Sequence, residues 1–192
     1  MPVLQAGGNA YQVPAGRRDG AVSRASDTNG NLPPPSANVA QLTQMFGAKG
    51  LTQRDMVVLS GAHTIGSSHC SSFSSRLSRS GTTAGQDPTM DPAYVAQLAR
   101  QCPQGGDPLV AMDYVSPNAF DEGFYKGVMA NRGLLSSDQA LLSDGNTAVQ
   151  VVTYANDPAT FQSDFAAAMV KMGSVGVLTG TSGKIRANCR VA

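Results

Sequence analysis

Apolar residues recur every three to four positions in several stretches of the chain, which is the spacing of a helix with one buried face. After Ser36, the apolar residues Val39, Leu42 and Phe46 share one such face, and glycines follow that would end the helix. Ser36 is a residue type that caps helix N-termini. The pattern therefore predicts a helix that begins after Ser36.

Capping signals predict the remaining helices. Thr52 with Asp55 three residues later has the capping-box pattern, and an apolar run follows. Two Asp-Pro pairs combine an N-cap with proline at the first helical position. The predicted helices run from Thr52 into Gly61, from Asp91 to about Cys102, from Asp121 to Asn131, from Ser136 or Ser137 over a few residues, and from Asp157 to Gly173. No segment alternates regularly enough to predict a strand, so we expect a mainly α fold with long irregular connections.

Composition and charge narrow the class of protein. The 192 residues include 14 Lys and Arg against 13 Asp and Glu, a net charge of +1. A nucleic-acid-binding surface would need a basic excess, so we expect no nucleic-acid partner. No apolar run approaches the roughly 18 residues of a membrane-spanning helix. We expect one soluble domain over residues 1–192, with an irregular connecting segment at 1–36 and a helical region at 37–192.

Three stretches carry candidate chemistry. LSGAHTIG ends an apolar helix with His63, although a lone histidine there is more often a structural residue than a ligand. SSDQALL contains Asp138 near a helix end. Residues 109–125 bring Asp113, Ser116 and Asp121 close together, either as an oxygen-rich cation site or as a solvated loop. The three cysteines fit no zinc site, and an odd number leaves one without an internal partner or all three reduced.

Seven fragments together resemble one family. GRRDG, NLPPP, LSGAHTIG, SSDQALL, FD at 120–121, VKMGSVGVLTG and IRANC are similar, in order and spacing, to the plant secretory (class III) haem peroxidases. The resemblance runs over residues 1–192 and corresponds to the C-terminal, proximal portion of that family. It implies an incomplete haem-peroxidase-type helical fold. It also implies a peroxidase that uses hydrogen peroxide to oxidise small phenolic donors by one electron at a time, with haem b and Ca²⁺ as cofactors.

The resemblance assigns haem contacts to individual residues. His63 corresponds to the proximal axial ligand of the haem iron, and Asp138 to the carboxylate that accepts a hydrogen bond from the other imidazole nitrogen. His69 corresponds to a contact of a haem propionate, with an ordinary exposed histidine as the alternative. Pro33 corresponds to a residue at the exposed haem edge, where small aromatic donors lie.

The resemblance also assigns a calcium site to the residue after His63 and to the acidic stretch. Its ligands would be the side chains of Thr64, Asp113, Ser116 and Asp121 and the carbonyl oxygen of Ala119. Calcium prefers oxygen ligands of these types. The ion is expected to be structural and to anchor the segment that carries the iron ligand.

The cysteines receive an explanation from the same family. Cys70 and Cys102 correspond to a family disulfide, whereas Cys189 corresponds to a cysteine whose partner lies before residue 1 in full-length relatives. The acidic partner of Arg17, in a buried ion pair of the family, lies there too. Disulfides imply a secreted (extracellular or cell-wall) or vacuolar protein. We expect a monomer that does not bind membranes.

The distal half of the family's active site has no counterpart in this sequence. Peroxidases use a distal histidine and arginine to move the peroxide protons and to stabilise the developing charge. We therefore assign no catalytic residue to this chain. Two interpretations stay open: a partial record of a working peroxidase, or a non-catalytic truncated remnant that binds haem or calcium. The first residues resemble a helix cut in mid-element, which favours a fragment, and we expect low activity from these 192 residues alone.

Overall fold

The computed structural model describes residues 2–77, 87–103, 105–188 and 190, and their regular structure is almost entirely helical. The mainly α prediction is confirmed. The α-helices are α1 (Pro2–Gln5), α2 (Val39–Gly47), α3 (Gln53–Ser60), α4 (Pro92–Gln101), α5 (Gly123–Met129), α6 (Ser136–Gln139), α7 (Gly145–Asn156) and α8 (Pro158–Met172). Short 3₁₀ turns occupy Ala25–Thr28, Gly61–Thr64, Cys70–Ser72, Ser74–Arg76 and Ala140–Leu142.

The predicted helix starts are found with two corrections, one of which is that α5 begins at Gly123 and not at Asp121. Thr52 accepts a hydrogen bond from the Asp55 amide while the Asp55 carboxylate accepts one from the Thr52 amide, which completes the capping box of α3. Asp91-Pro92 and Asp157-Pro158 begin helices α4 and α8, as predicted. The cap of α2, however, is Asn38 and not Ser36, because the Asn38 and Gln41 side chains exchange hydrogen bonds with each other's backbone amides.

Three elements were not predicted from the sequence, one helix and two short strands. Helix α7 was missed because its apolar residues lie on both faces: Val151 and Tyr154 are buried, whereas Val149 and Val152 are exposed. The strands β1 (Ser67–His69) and β2 (Leu109–Ala111) form an antiparallel pair of three residues each. Strands this short do not show a recognisable alternation of apolar and polar residues.

The main hydrophobic core lies between helices α3, α5, α7 and α8. Its centre is aromatic, with Tyr125, Tyr154 and Phe161 almost completely buried. Gly61, at the end of α3, lies against this centre. A Cβ atom on Gly61 would lie 2.5 Å from the Tyr125 hydroxyl oxygen and 2.6 Å from a ring carbon of Phe161, so only glycine fits there. This close approach fixes where the chain leaves α3, and His63 follows two residues later.

A disulfide joins Cys70, just after β1, to Cys102, at the end of α4. The family resemblance implied this pair. The two cysteines are 32 positions apart, and the loop-entropy model assigns a link of this length roughly 3–4 kcal/mol of stabilisation. Cys189 lies outside the described residues.

The N-terminal segment is largely irregular and is held against the C-terminal segment by two isolated β-bridges, Arg18 with Leu178 and Asp19 with Lys184. Arg17 is exposed, and its guanidinium donates to the carbonyl oxygen of Gly173 at 2.6 Å. The buried ion pair that the resemblance assigns to Arg17 needs an acidic partner from outside these 192 residues, so it stays a prediction. Among the described helices, none is both long and apolar enough to cross a membrane.

We predict that Gly61→Ala lowers the free energy of unfolding by about 1–3 kcal/mol, because the added methyl group overpacks the aromatic core. The control is Gly47→Ala in α2, where a Cβ atom meets nothing within 4 Å. Alanine should leave the protein unchanged there or stabilise it by up to about 1 kcal/mol. Urea unfolding of both variants measures the difference, and equal transition midpoints would contradict the proposed close packing.

Candidate functional site

The site is organised around His63, which lies in the 3₁₀ turn that continues α3. Its Nδ1 atom is 2.8 Å from Oδ1 of Asp138 in α6, 75 residues away in sequence. The Asp138 side chain is 2% exposed, whereas the His63 side chain is 37% exposed. The pair therefore consists of a buried carboxylate and an imidazole that reaches the surface.

Asp138 is held in place through its second oxygen and its neighbours. Oδ2 accepts a hydrogen bond from the Leu135 amide at 2.9 Å. The next side chain, Gln139, accepts one from the Gly133 amide at 3.1 Å. Both carboxylate oxygens are thus used, and the direction from which Asp138 meets His63 is set by the backbone.

Arg76 supports the same segment from the other side. Its Nη1 atom donates to the carbonyl oxygens of Gly133 and Leu134, at 2.6 and 2.8 Å, and its Nε atom pairs with Asp87 at 2.7 Å. Arg76 is almost fully buried. The sequence analysis did not identify it, because no local pattern shows that an arginine 57 positions earlier than Gly133 will bind there.

The carboxylate determines the electrostatics of the imidazole. Burial acts to lower the pKa of His63, but the charge of Asp138 and its hydrogen bond outweigh this effect and raise the pKa above 6.5. An imidazole that donates from Nδ1 to a carboxylate presents Nε2 as the electron-rich nitrogen. Nε2 has no hydrogen-bond partner within the described part of the chain. It is therefore available to a ligand.

The protein offers one ligand here, His63, which suits a metal ion whose other ligands come from a prosthetic group. Within the described ranges, no group of three or more His, Cys, Asp or Glu side chains could hold a metal ion by itself. A single anchored imidazole is the protein ligand that haem iron takes on its proximal side. Phe124 packs edge-on against the His63 ring, with 5.8 Å between ring centroids, and limits how the ring can rotate. These residues fit a haem.

A second site of converging oxygen atoms surrounds Thr64, the residue after His63. The Thr64 hydroxyl oxygen lies 3.1 Å from Oδ2 of Asp113, 3.3 Å from the Ala119 carbonyl oxygen and 3.3 Å from Oδ1 of Asp121. A hydroxyl has one proton to donate. Thr64, which is fully buried, can therefore donate a hydrogen bond to at most one of the three oxygens.

Ser116 and Gly123 complete this oxygen cluster. The Ser116 hydroxyl lies 2.8 Å from Oδ1 of Asp121 and 3.4 Å from Oδ2 of Asp113. A Cβ atom on Gly123 would lie 2.3 Å from both the Asp113 carboxylate and the Ser116 hydroxyl, so the missing side chain leaves room for the oxygens to converge. The arrangement has the oxygen chemistry of a calcium site.

Two carboxylates in one buried cluster favour a cation there. Burial raises the pKa of Asp113, and the neighbouring charge of Asp121 raises it further. Backbone amides satisfy part of each carboxylate, from Val115 to Asp113 at 2.7 Å and from Gly123 to Asp121 at 2.8 Å. A divalent ion would neutralise the remaining negative charge. It would bind Thr64, the residue that follows His63 in the sequence.

The two remaining predicted residues lie at the surface. His69, at the end of β1, is exposed, and its Nδ1 atom bonds to the carbonyl oxygen of Asp107 at 2.8 Å. Pro33 is exposed in the triple-proline segment. The carbonyl oxygen of Pro35 accepts a hydrogen bond from the Ser137 amide at 2.9 Å. The triple-proline segment is therefore tied to α6, the helix that carries Asp138.

Comparisons with known proteins agree on one family. The family model described as Peroxidase matches residues 2–157. Peroxidase 5 of Vitis vinifera is 58% identical over 188 residues, which cover 96% of this chain and 57% of that protein. Peroxidase 55 of Arabidopsis thaliana is 45% identical over 188 residues (97% and 57%), and Peroxidase P7 of Brassica rapa subsp. rapa is 43% identical over 191 residues (97% and 62%). The chain thus spans well under two thirds of the length of these relatives.

We predict that Asp138→Ala lowers the free energy of unfolding by about 1–3 kcal/mol, because His63 Nδ1 and the buried Leu135 amide both lose their acceptor. The matched control is Asp107→Ala, which removes the carboxylate beside the exposed His69. Its effect should stay below about 1 kcal/mol, since the ion pair of Asp107 and its two hydrogen bonds from Ser71 are exposed to water. Urea unfolding compares the two, and similar losses would contradict a special role for Asp138.

Proposed function

Because the chain belongs to the peroxidase family, we propose that it forms the proximal, haem-binding part of a peroxidase that oxidises small phenolic donors with hydrogen peroxide. The single observation that carries this proposal is the His63–Asp138 pair, a half-exposed imidazole that donates to a buried and backbone-anchored carboxylate. The similarity to class III plant peroxidases, which are typically secreted, and the Cys70–Cys102 disulfide favour an oxidising compartment, secreted or vacuolar.

In this proposal Nε2 of His63 holds the iron of haem b. The haem supplies the one-electron chemistry by which peroxide is reduced and phenols are oxidised. Asp138 accepts a hydrogen bond from the Nδ1–H group, which keeps the ring in one tautomer and makes Nε2 a more basic ligand. A strongly basic proximal ligand favours cleavage of the peroxide O–O bond over simple electron transfer. The Leu135 amide keeps Asp138 in the position from which it can do this.

The surface residues have supporting roles in the same proposal. His69 contacts a haem propionate, for which its exposed ring is accessible. Pro33 presents a rigid apolar turn to an aromatic donor. The hydrogen bond from the Ser137 amide to the Pro35 carbonyl oxygen links that turn to α6, the helix of Asp138. A phenolic electron donor bound at the turn would therefore lie near α6.

We propose Ca²⁺ for the oxygen cluster of Thr64, Asp113, Ser116, Ala119 and Asp121. Support comes from the number of converging oxygens, their carboxylate, hydroxyl and carbonyl types, and the negative charges of the buried Asp113 and the partly buried Asp121. Because Thr64 follows His63 directly, an ion bound there restrains the backbone of the iron ligand. Loss of the ion should loosen the haem contact as well as the fold.

We predict that haemin added to the unmutated chain produces a shifted Soret band, and that His63→Ala loses this shift because Nε2 is the iron ligand. The control is His69→Ala, which removes the only other histidine of the sequence. It should keep the shift because Nε2 of His63 is intact, although the lost propionate contact should raise the haemin concentration needed. Identical spectra for the His63 variant and the unmutated chain would refute the ligand assignment.

The haem-loaded chain also distinguishes the two interpretations of its activity. Peroxide cleavage needs a distal acid–base group and a cation, in addition to the proximal ligand. Soret binding with little peroxide-dependent oxidation of a phenolic dye is the result we expect from these 192 residues. Rapid turnover would contradict that expectation and show that the proximal part is sufficient.

We predict that chelation of Ca²⁺ lowers the melting temperature of the unmutated chain, because the two carboxylates of the cluster then repel each other without a counterion. Asp113→Asn should abolish this calcium response and, in the presence of chelator, should be no less stable than the unmutated chain. Asp107→Asn, an exposed aspartate outside the cluster, is the control and should retain the full response. Thermal melts with calcium and with chelator measure all three, and an unchanged melt on chelation would count against the site.

A further inference from the structure

A line of aromatic rings leads from His63 into the core. The ring of His63 lies 5.8 Å from that of Phe124, Phe124 lies 5.1 Å from Tyr125, and Tyr125 lies 5.3 Å from Tyr154, measured between ring centroids. Each step is a direct edge-on or tilted contact of the kind that aromatic pairs prefer. The proposed iron ligand is thus connected to α7 by aromatic contacts alone.

The line ends at a tyrosine with a charged acceptor. The Tyr154 hydroxyl donates to Oδ2 of Asp164 at 2.8 Å, and Nη2 of Arg54 binds the same oxygen at 2.6 Å. Tyr154 is 1% exposed, whereas the side chains of Asp164 and Arg54 are 27% and 64% exposed. The phenol is therefore shielded from solvent, and the group that accepts its hydrogen bond reaches the surface.

Tyr125 and Tyr154 differ in what can take their protons. The Tyr125 hydroxyl donates to the backbone carbonyl oxygens of Val57 and Val58, at 3.1 and 3.2 Å. An amide carbonyl is too weak a base to keep a phenolic proton, whereas a carboxylate can act as a general base. A phenol gives up an electron readily when its proton leaves at the same time. An oxidising equivalent in this line of rings would therefore come to rest on Tyr154 and not on Tyr125.

The resting state of Tyr154 suits such a transfer. Burial raises the pKa of Tyr154 to about 12, and its hydrogen bond to Asp164 contributes in the same direction. The phenol is therefore protonated near neutral pH and has a proton to give when it loses an electron. The partner groups are in place before any oxidant arrives.

We propose that Tyr154 is a redox-active tyrosine that gives one electron, through Tyr125 and Phe124, to a one-electron oxidant at His63 while Asp164 takes its phenolic proton. The phenol and the carboxylate become a neutral phenoxyl radical and a carboxylic acid, and the oxidant is reduced by one electron. In the haem-loaded protein, the oxidant is haem that peroxide has oxidised, so the physiological role rests on the proposed function. The line of rings and the proton acceptor belong to the chain itself and can be tested without haem.

The chain contains two histidines, His63 and His69, which makes the entry point of the electron controllable. In a His69→Gln variant, a ruthenium polypyridine that binds imidazole can attach only at His63, through the open Nε2 atom. Flash oxidation of this label with a soluble electron acceptor creates the oxidant at the chosen place. Electron paramagnetic resonance and transient absorption then detect a tyrosyl radical.

We expect a tyrosyl signal in the labelled His69→Gln protein and loss of that signal when Tyr154→Phe is added, since phenylalanine keeps the ring packing but has no hydroxyl. Asp164→Asn should also lose the signal, because an amide cannot take the proton. Tyr94→Phe is the matched control: Tyr94 is equally buried, and its hydroxyl bonds to no carboxylate among the residues that the structure describes. This control should keep the signal.

Three outcomes would overturn the proposal. They are the absence of any tyrosyl signal in the labelled protein, a signal of unchanged size in Tyr154→Phe, and a signal of unchanged size in Asp164→Asn. A label at His69 in a His63→Gln variant should give a weaker signal, because His69 makes no ring contact with any residue that the structure describes. An equal signal would contradict the route through Phe124. Circular dichroism checks that each variant is folded. Failure of haem binding in the Soret titration would refute the proposed function and leave this result intact.

Discussion

The hydrogen bond between His63 and the buried Asp138 is the interaction on which the rest of the site depends. A carboxylate removed from water is costly unless every lone pair that faces the protein finds a donor. The His63 ring donates a hydrogen bond to one oxygen of Asp138 and the Leu135 amide donates to the other. Arg76 donates to the carbonyl oxygen of Leu134 in the same segment. Loss of either partner would leave an uncompensated charge in the interior. The same arrangement that stabilises the fold therefore also orients the imidazole and leaves its other nitrogen open.

Helix α3 connects the features that matter for function. Its last turn leads through Gly61 to His63 and Thr64. The backbone before the proposed iron ligand and the proposed calcium ligand is therefore held in place by the packing of Gly61 against the core. The other end of α3 carries Arg54, which binds Asp164 of α8. A disturbance at the oxygen cluster would thus be transmitted to the imidazole by two covalently adjacent residues. The aromatic core beneath α3 provides the proposed route for an electron, because close packing of rings serves stability and electronic contact alike.

The family relationship and the geometry constrain different parts of the interpretation. The match to the peroxidase family identifies the class of protein, whereas the chain spans about 57% of the length of Peroxidase 5 of Vitis vinifera. What the described residues provide is one anchored imidazole, a neighbouring oxygen cluster and a disulfide between Cys70 and Cys102. The chemistry of peroxide cleavage requires a second set of groups on the opposite face of a haem.

The sequence by itself determined the features that depend on residues within four positions of each other: the mainly helical class, the capping box of Thr52 and the Asp-Pro starts of α4 and α8. Its ordered fragments also pointed to His63 and to the family. Tertiary structure decided the rest. It buried one face of α7, placed Arg76 against the segment before Asp138, brought the oxygens around Thr64 together and aligned the rings that end at Tyr154. These contacts join positions tens of residues apart, and they exist only once the helices have packed, because no local pattern specifies which distant partner a side chain will meet.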